Sequence, residues 1–147
     1  MNTAQFLAII FTALALVPSG THLLEFPSKF NAPQTQYFPT HSIRLGRALP
    51  WLVWAVALIA DGWLAYVMRG SAAAYVFAFA ATLLILSAFG ICLLFTQPES
   101  AETSNWTEAS PDWRAAHASR EYTHAANAVL IFVALICVSL SALATRG

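Results

Sequence analysis

Charge is what this chain has least of. Only 10% of its 147 residues are Asp, Glu, Lys or Arg, and the formal net charge is zero. Soluble domains carry about 25% charged residues, so a soluble globule and a disordered tail are both poor readings. A neutral chain also has no global field to favour phosphate, which argues against a nucleic-acid binder. Cysteine is equally scarce. Cys92 and Cys137 are the only two, both in apolar runs, which excludes a disulfide framework and a cysteine-based zinc site. Alternation of apolar and polar residues is missing too, and with it the pattern of a membrane-spanning strand barrel. In their place are 59% hydrophobic residues and a mean hydropathy of +0.63.

The few charges are clustered. Eleven of the fourteen fall within 25–47 and 99–121; the others are Asp61, Arg69 and Arg146. Between them lie stretches of the roughly 20 apolar residues that a helix needs to cross about 30 Å of hydrocarbon. The expected fold is all-α: an integral membrane, antiparallel four-helix bundle forming one domain over 1–147. Helices are expected at about 4–26, 40–69, 71–96 and 111–145, with long loops 27–39 and 97–110 on one side. No basic residue precedes the first apolar run, which continues through His22 to Phe26, so it reads as a span rather than a cleaved signal.

Local signals mark the joints. Pro18 should kink the first helix and Pro27 should end it. The second helix should begin near Pro39 or Thr40, bend at Pro50 and stop at the tight turn Arg69-Gly70-Ser71. In the third, Ala73, Ala80 and Ser87 recur every seven positions, a period suited to close packing. Ser110, Pro111 and Asp112 form a helix start, after which nothing breaks the fourth helix before Thr145. Lys29, Arg44, Arg47, Arg114 and Arg120 lie on the long-loop side, against Arg69 and Arg146 on the other. The positive-inside rule then puts the long loops in the cytoplasm. Asn105-Trp106-Thr107 matches a glycosylation sequon, a short pattern of low specificity.

Depth brings two histidines to one level. At 1.5 Å per residue His22 stands about 27 Å along the first helix and His124 about 30 Å back along the fourth. Glu25 follows His22 by three, and Glu121 precedes His124 by three, so each pair shares a helix face. If those faces converge, His22, Glu25, Glu121 and His124 surround one point. Paired motifs of this kind recur in helical-bundle metal sites. The second and third helices add no glutamate at this depth, so a full di-iron set is missing. A single iron, manganese or zinc ion is the metal reading. Three others stand beside it: a structural polar network, an organic-ligand pocket, and a haem held by both histidines.

A second stripe favours a pocket. Trp113, His117, Arg120, His124 and Asn127 follow 4, 3, 4, 3 spacing and share one face of the fourth helix. Arg47, Trp51 and Trp54 reach about the same level, as does Cys92; the tryptophans also fit an interfacial aromatic belt. Arg47 or Arg120 would bind an anionic substrate group. Asp61 stands alone in mid-span and needs a hydrogen-bond partner, for which Thr12, Thr82 and Ser139 are candidates. Cys137 reads as a small packing residue.

Two blocks carry a resemblance: Pro18-Ser19-Gly20-Thr21-His22-Leu23-Leu24-Glu25 with Lys29, and Asn105-Trp106-Thr107 and Trp113 with Glu121-Tyr122-Thr123-His124-Ala125-Ala126-Asn127-Ala128. Together they resemble small bacterial four-helix membrane proteins of unknown function, in the family that includes anthrone oxygenases. The resemblance implies small-molecule redox chemistry, in which dioxygen oxidises an activated aromatic methylene; it carries over no catalytic residue. The function expected is an oxygenase-like or other redox protein of a bacterial inner membrane, acting on a lipophilic small molecule. The alternative is a non-catalytic accessory subunit whose polar mouth docks a membrane-protein partner or a second copy.

Overall fold

A chain in lipid must satisfy its backbone polar groups internally, and a helix does so within one segment. In the computed structural model, which describes residues 2–30, 48–96 and 113–145, every apolar run is helical. The order is α1 (Thr3–Phe30), α2 (Ala48–Val67), a 3-10 turn (Met68–Gly70), α3 (Ala72–Ile91), a π-helical turn (Cys92–Thr96) and α4 (Trp113–Ala144). Among the described residues there is no strand. All four helices are long and apolar enough to cross a membrane.

The start of α1 is a reciprocal cap. The Asn2 N–H donates to Gln5 Oε1 at 2.8 Å, and the Gln5 N–H donates to Asn2 Oδ1 at 2.9 Å. Two otherwise orphaned donors are thereby satisfied. Gln5 Nε2 also donates to Thr145 Oγ1 at 2.9 Å, which ties the start of α1 to the residue just past α4. Pro18 lies inside α1, and the helix runs through it unbroken. Near it, the Ala15 carbonyl accepts from Trp54 Nε1 of α2 at 3.3 Å and from Ser19 Oγ at 3.4 Å.

Pro27 does not end the helix, which continues to Phe30. A proline inside a helix costs one bond and a local clash. Here Ser28 Oγ donates to the Glu25 carbonyl at 2.8 Å, a side-chain bond within the same turn. Pro50 lies within α2, near the edge of the described residues. The expected starts of the second helix at Pro39–Thr40 and of the fourth at Ser110–Asp112 lie outside the described residues. The turn after α2 is tight, as expected: the Ser71 N–H donates to the Met68 carbonyl at 2.9 Å, and the Ser71 carbonyl accepts from Tyr75 at 2.8 Å.

Each helix packs on its neighbours in the chain, and α4 closes the ring against α1. Small residues make the seams. Ala8 and Ala15 of α1, Ala57 of α2, Ala78 and Ala81 of α3 and Ala134 of α4 are fully buried. Large apolar side chains point outward, among them Leu24, Ile59, Leu86, Leu94 and Phe132. A water-soluble protein places them the other way round. Small residues let helices approach closely where lipid supplies no hydrophobic drive for association.

The seam of α3 is not the expected one. Ala73 and Ser87 are exposed, while Ala74, Ala78, Ala81, Ile85, Ala88 and Cys92 are buried. In an alanine-rich helix two adjacent phases both read as small-residue stripes. The Ala74 phase is the one that meets α4, where Ser141 Oγ donates to the Ala74 carbonyl at 2.8 Å. Asp61, fully buried, accepts from Thr12 Oγ1 at 3.0 and 3.2 Å, joining α1 to α2. Thr82 and Ser139, its other candidate partners, bond to the Ala78 and Leu135 carbonyls of their own helices.

These seams make a contrast measurable. Ala78→Leu overpacks a filled position and should lower stability by about 1–3 kcal/mol. Leu86→Ala, on the outer face, should change it little. Thermal unfolding in one detergent compares the two variants directly. Thr12→Val, which removes the hydroxyl that Asp61 accepts from, should destabilise by about 1–3 kcal/mol.

Candidate functional site

The levelling of the two histidines holds. The His22 and His124 rings stack face to face, with centroids 4.1 Å apart and planes 7° from parallel. Phe26 and Tyr122, next along the same seam, meet with centroids 5.4 Å apart. Sequence reading missed that second pair, although Phe26 follows His22 by four and Tyr122 precedes His124 by two. Trp113 and His117 form a second stack, with centroids 5.9 Å apart and planes 21° from parallel. The expected stripe of α4 therefore turns inward. His117 and Asn127 are buried, and Trp113, Arg120 and His124 are half-buried.

The two glutamates part company. Glu121 is fully buried, whereas Glu25 is exposed. A step of three residues turns about 60° away from the starting side chain. From His124 that turn leads Glu121 into the bundle, and from His22 it leads Glu25 out. The expected convergence of four ligands on one point is not formed. Among the described residues no three His, Cys, Asp or Glu side chains lie together in a way that could hold a metal ion.

The ring geometry points the same way. An imidazole nitrogen offers its lone pair in the plane of the ring, and a zinc–nitrogen bond is about 2.0–2.1 Å. Two parallel rings 4.1 Å apart aim their lone pairs side by side, not at a shared ion. Nor do they flank a haem, whose axial ligands stand edge-on to iron from opposite faces. What stacked imidazoles offer is hydrogen bonding and proton transfer at their nitrogens.

Other helices complete the surroundings. Trp54 is buried and Trp51 half-buried, and both rings lie against Phe89 of α3, with centroids 5.9 and 5.4 Å away. Trp54 is thus a core residue bonded to α1, not part of an interfacial belt. The π turn holds Cys92, also buried, and packs against α4. Cys137 is half-buried against the core, as a packing residue would be. Arg47, with Arg44, lies outside the described residues, so the expected anion-binding role there falls to Arg120 alone among those described.

No protein family, no curated protein and no solved structure matches this chain. The site is therefore read from its own geometry.

The parting of the glutamates predicts unequal sensitivity. Glu121→Ala empties a fully buried polar position and should cost about 2 kcal/mol or more. Glu25→Ala, at an exposed position, should cost less than Glu121→Ala in thermal unfolding. Equal losses at both positions would restore the four-ligand arrangement.

Proposed function

We propose that this chain is a multi-pass protein of a bacterial inner membrane, with four antiparallel spans and a polar mouth at the long-loop end. The mouth acts on a lipophilic small molecule by oxygenase-like or other redox chemistry. The observation that carries this reading is the inward polar face of α4, with His117, Glu121 and Asn127 buried inside a shell of outward-facing Leu, Ile and Phe. Polar and ionisable groups inside a membrane bundle are expensive and mark functional sites by default.

In this reading His22 and His124 are acid–base groups. Neutral imidazole carries one donor and one acceptor nitrogen, so a stacked pair can take a proton from an activated C–H or O–H of the bound lipophile. Glu121 orients the mouth from within, and Arg120 steadies charge that develops on the substrate. The metal-ligand role for His22, Glu25, Glu121 and His124 has no support from the geometry above.

Single and double His22→Ala and His124→Ala variants test the proposal in purified, detergent-solubilised protein. Dioxygen uptake with a hydroxylated aromatic ketone bearing an activated methylene should fall about 100-fold or more in each single variant. Thermal unfolding should shift by no more than a few degrees. Metal analysis and an absorption spectrum of the wild type should give substoichiometric metal and no Soret band. Uptake that survives in the double variant, or none in the wild type, favours the accessory-subunit reading. A stoichiometric metal lost in either variant reinstates the metal centre.

A further inference from the structure

Asn127 is the least expected residue of the mouth. Its side chain is fully buried, yet neither Oδ1 nor Nδ2 has a hydrogen-bond partner among the described residues. The other fully buried polar side chains of the helix seams have partners: Thr12 meets Asp61, and Ser141 meets the Ala74 carbonyl. A buried amide left unbonded is costly, because its desolvation is not offset. Turning the amide over exchanges O for N and changes nothing, because both positions are unpartnered. Asn127 also follows His124 by three on the inward face of α4, so it stands one turn deeper than the stacked histidines.

Donor and acceptor arithmetic selects what could complete it. A carboxamide presents one acceptor and one donor along a single planar edge. A carboxylate only accepts, and would leave Oδ1 facing another oxygen. An ammonium only donates, and would leave Nδ2 unmatched. An ester or ether satisfies Nδ2 alone. A neutral head with a donor and an acceptor side by side satisfies both. We propose that Asn127 is the specificity-determining residue of the mouth, and that it binds a neutral lipophile through a carboxamide edge: a primary amide, lactam or imide. The carboxamide pairs with Asn127 through two parallel hydrogen bonds. Its hydrocarbon part extends among the apolar side chains of the bundle. This deepens the reading of the mouth as a lipophile site and rests on it.

The test is binding by the whole chain in one detergent, with decanamide, methyl decanoate and decylamine as probes. Decanamide should bind wild-type protein saturably, one per chain, and about tenfold or more tightly than methyl decanoate. One hydrogen bond of about 1.4 kcal/mol corresponds to that factor. Asn127→Leu should bind decanamide and methyl decanoate equally, and should unfold at the same temperature as wild type or higher, because it removes unbonded polar atoms at similar volume. No saturable decanamide binding, equal affinity for amide and ester in the wild type, or tighter binding of decylamine overturns the proposal. So does a clear loss of stability or of folding in Asn127→Leu, which makes the amide a satisfied structural group. The wild-type preference is measured without that variant and decides the matter by itself. No arm requires turnover, so an amide preference in a protein without histidine-dependent oxygen uptake refutes the catalytic reading and leaves this one standing.

Discussion

Alanine sets how closely these helices approach, and the rest of the structure follows from that distance. Ala8, Ala57, Ala78 and Ala134 are fully buried, and a side chain that short lets neighbouring backbones approach. Close backbones bring carbonyls within reach of side chains on the next helix. The Ala74 carbonyl takes a bond from Ser141, and the Ala15 carbonyl takes one from Trp54. In lipid such bonds matter because no water competes for either partner. The large apolar residues, released from core duty, face outward.

Polar residues are then placed by what the seams allow. Gln5 and Thr145 join α1 and α4 at one end, and His22 and His124 join the same helices near the other. Between these levels Thr12 and Asp61 bridge α1 to α2. Each is a short, direct contact, possible because the helices lie so close. The mouth departs from this economy. There the inward face of α4 gathers His117, Glu121 and Asn127, and neither amide atom of Asn127 is bonded among the described residues. That unbonded amide is the basis for proposing a ligand there.

Much of the fold was legible in composition. The charge-free stretches gave the four helices, and the third ends in a π turn within its expected range. Counting residues from the helix ends put His22 and His124 at one depth, because helical rise is constant. For Asp61 the sequence narrows the partner to Thr12, Thr82 or Ser139, because a mid-span carboxylate has few polar groups within reach, and the structure selects Thr12. Other features were not legible. Pro27 does not act as a stop, because a proline removes only one intrahelical bond and the helix runs on to Phe30. The small-residue stripe of α3 was placed one residue out of phase, because alanines occupy both phases.

Sequence by itself determined that this chain forms four long apolar helices and that His22 and His124 share a level. Both follow from period, rise and the cost of charge in hydrocarbon, which are properties of single segments. Only the tertiary structure decided which way each polar side chain turns. Glu25 and Glu121 sit at mirrored spacings from their histidines, yet one is exposed and the other fully buried. Rotation of a helix about its own axis settles that, and packing against the other three helices sets the rotation. The same rotation stacks the imidazoles in parallel, so that they offer hydrogen bonds and protons rather than a common lone-pair target.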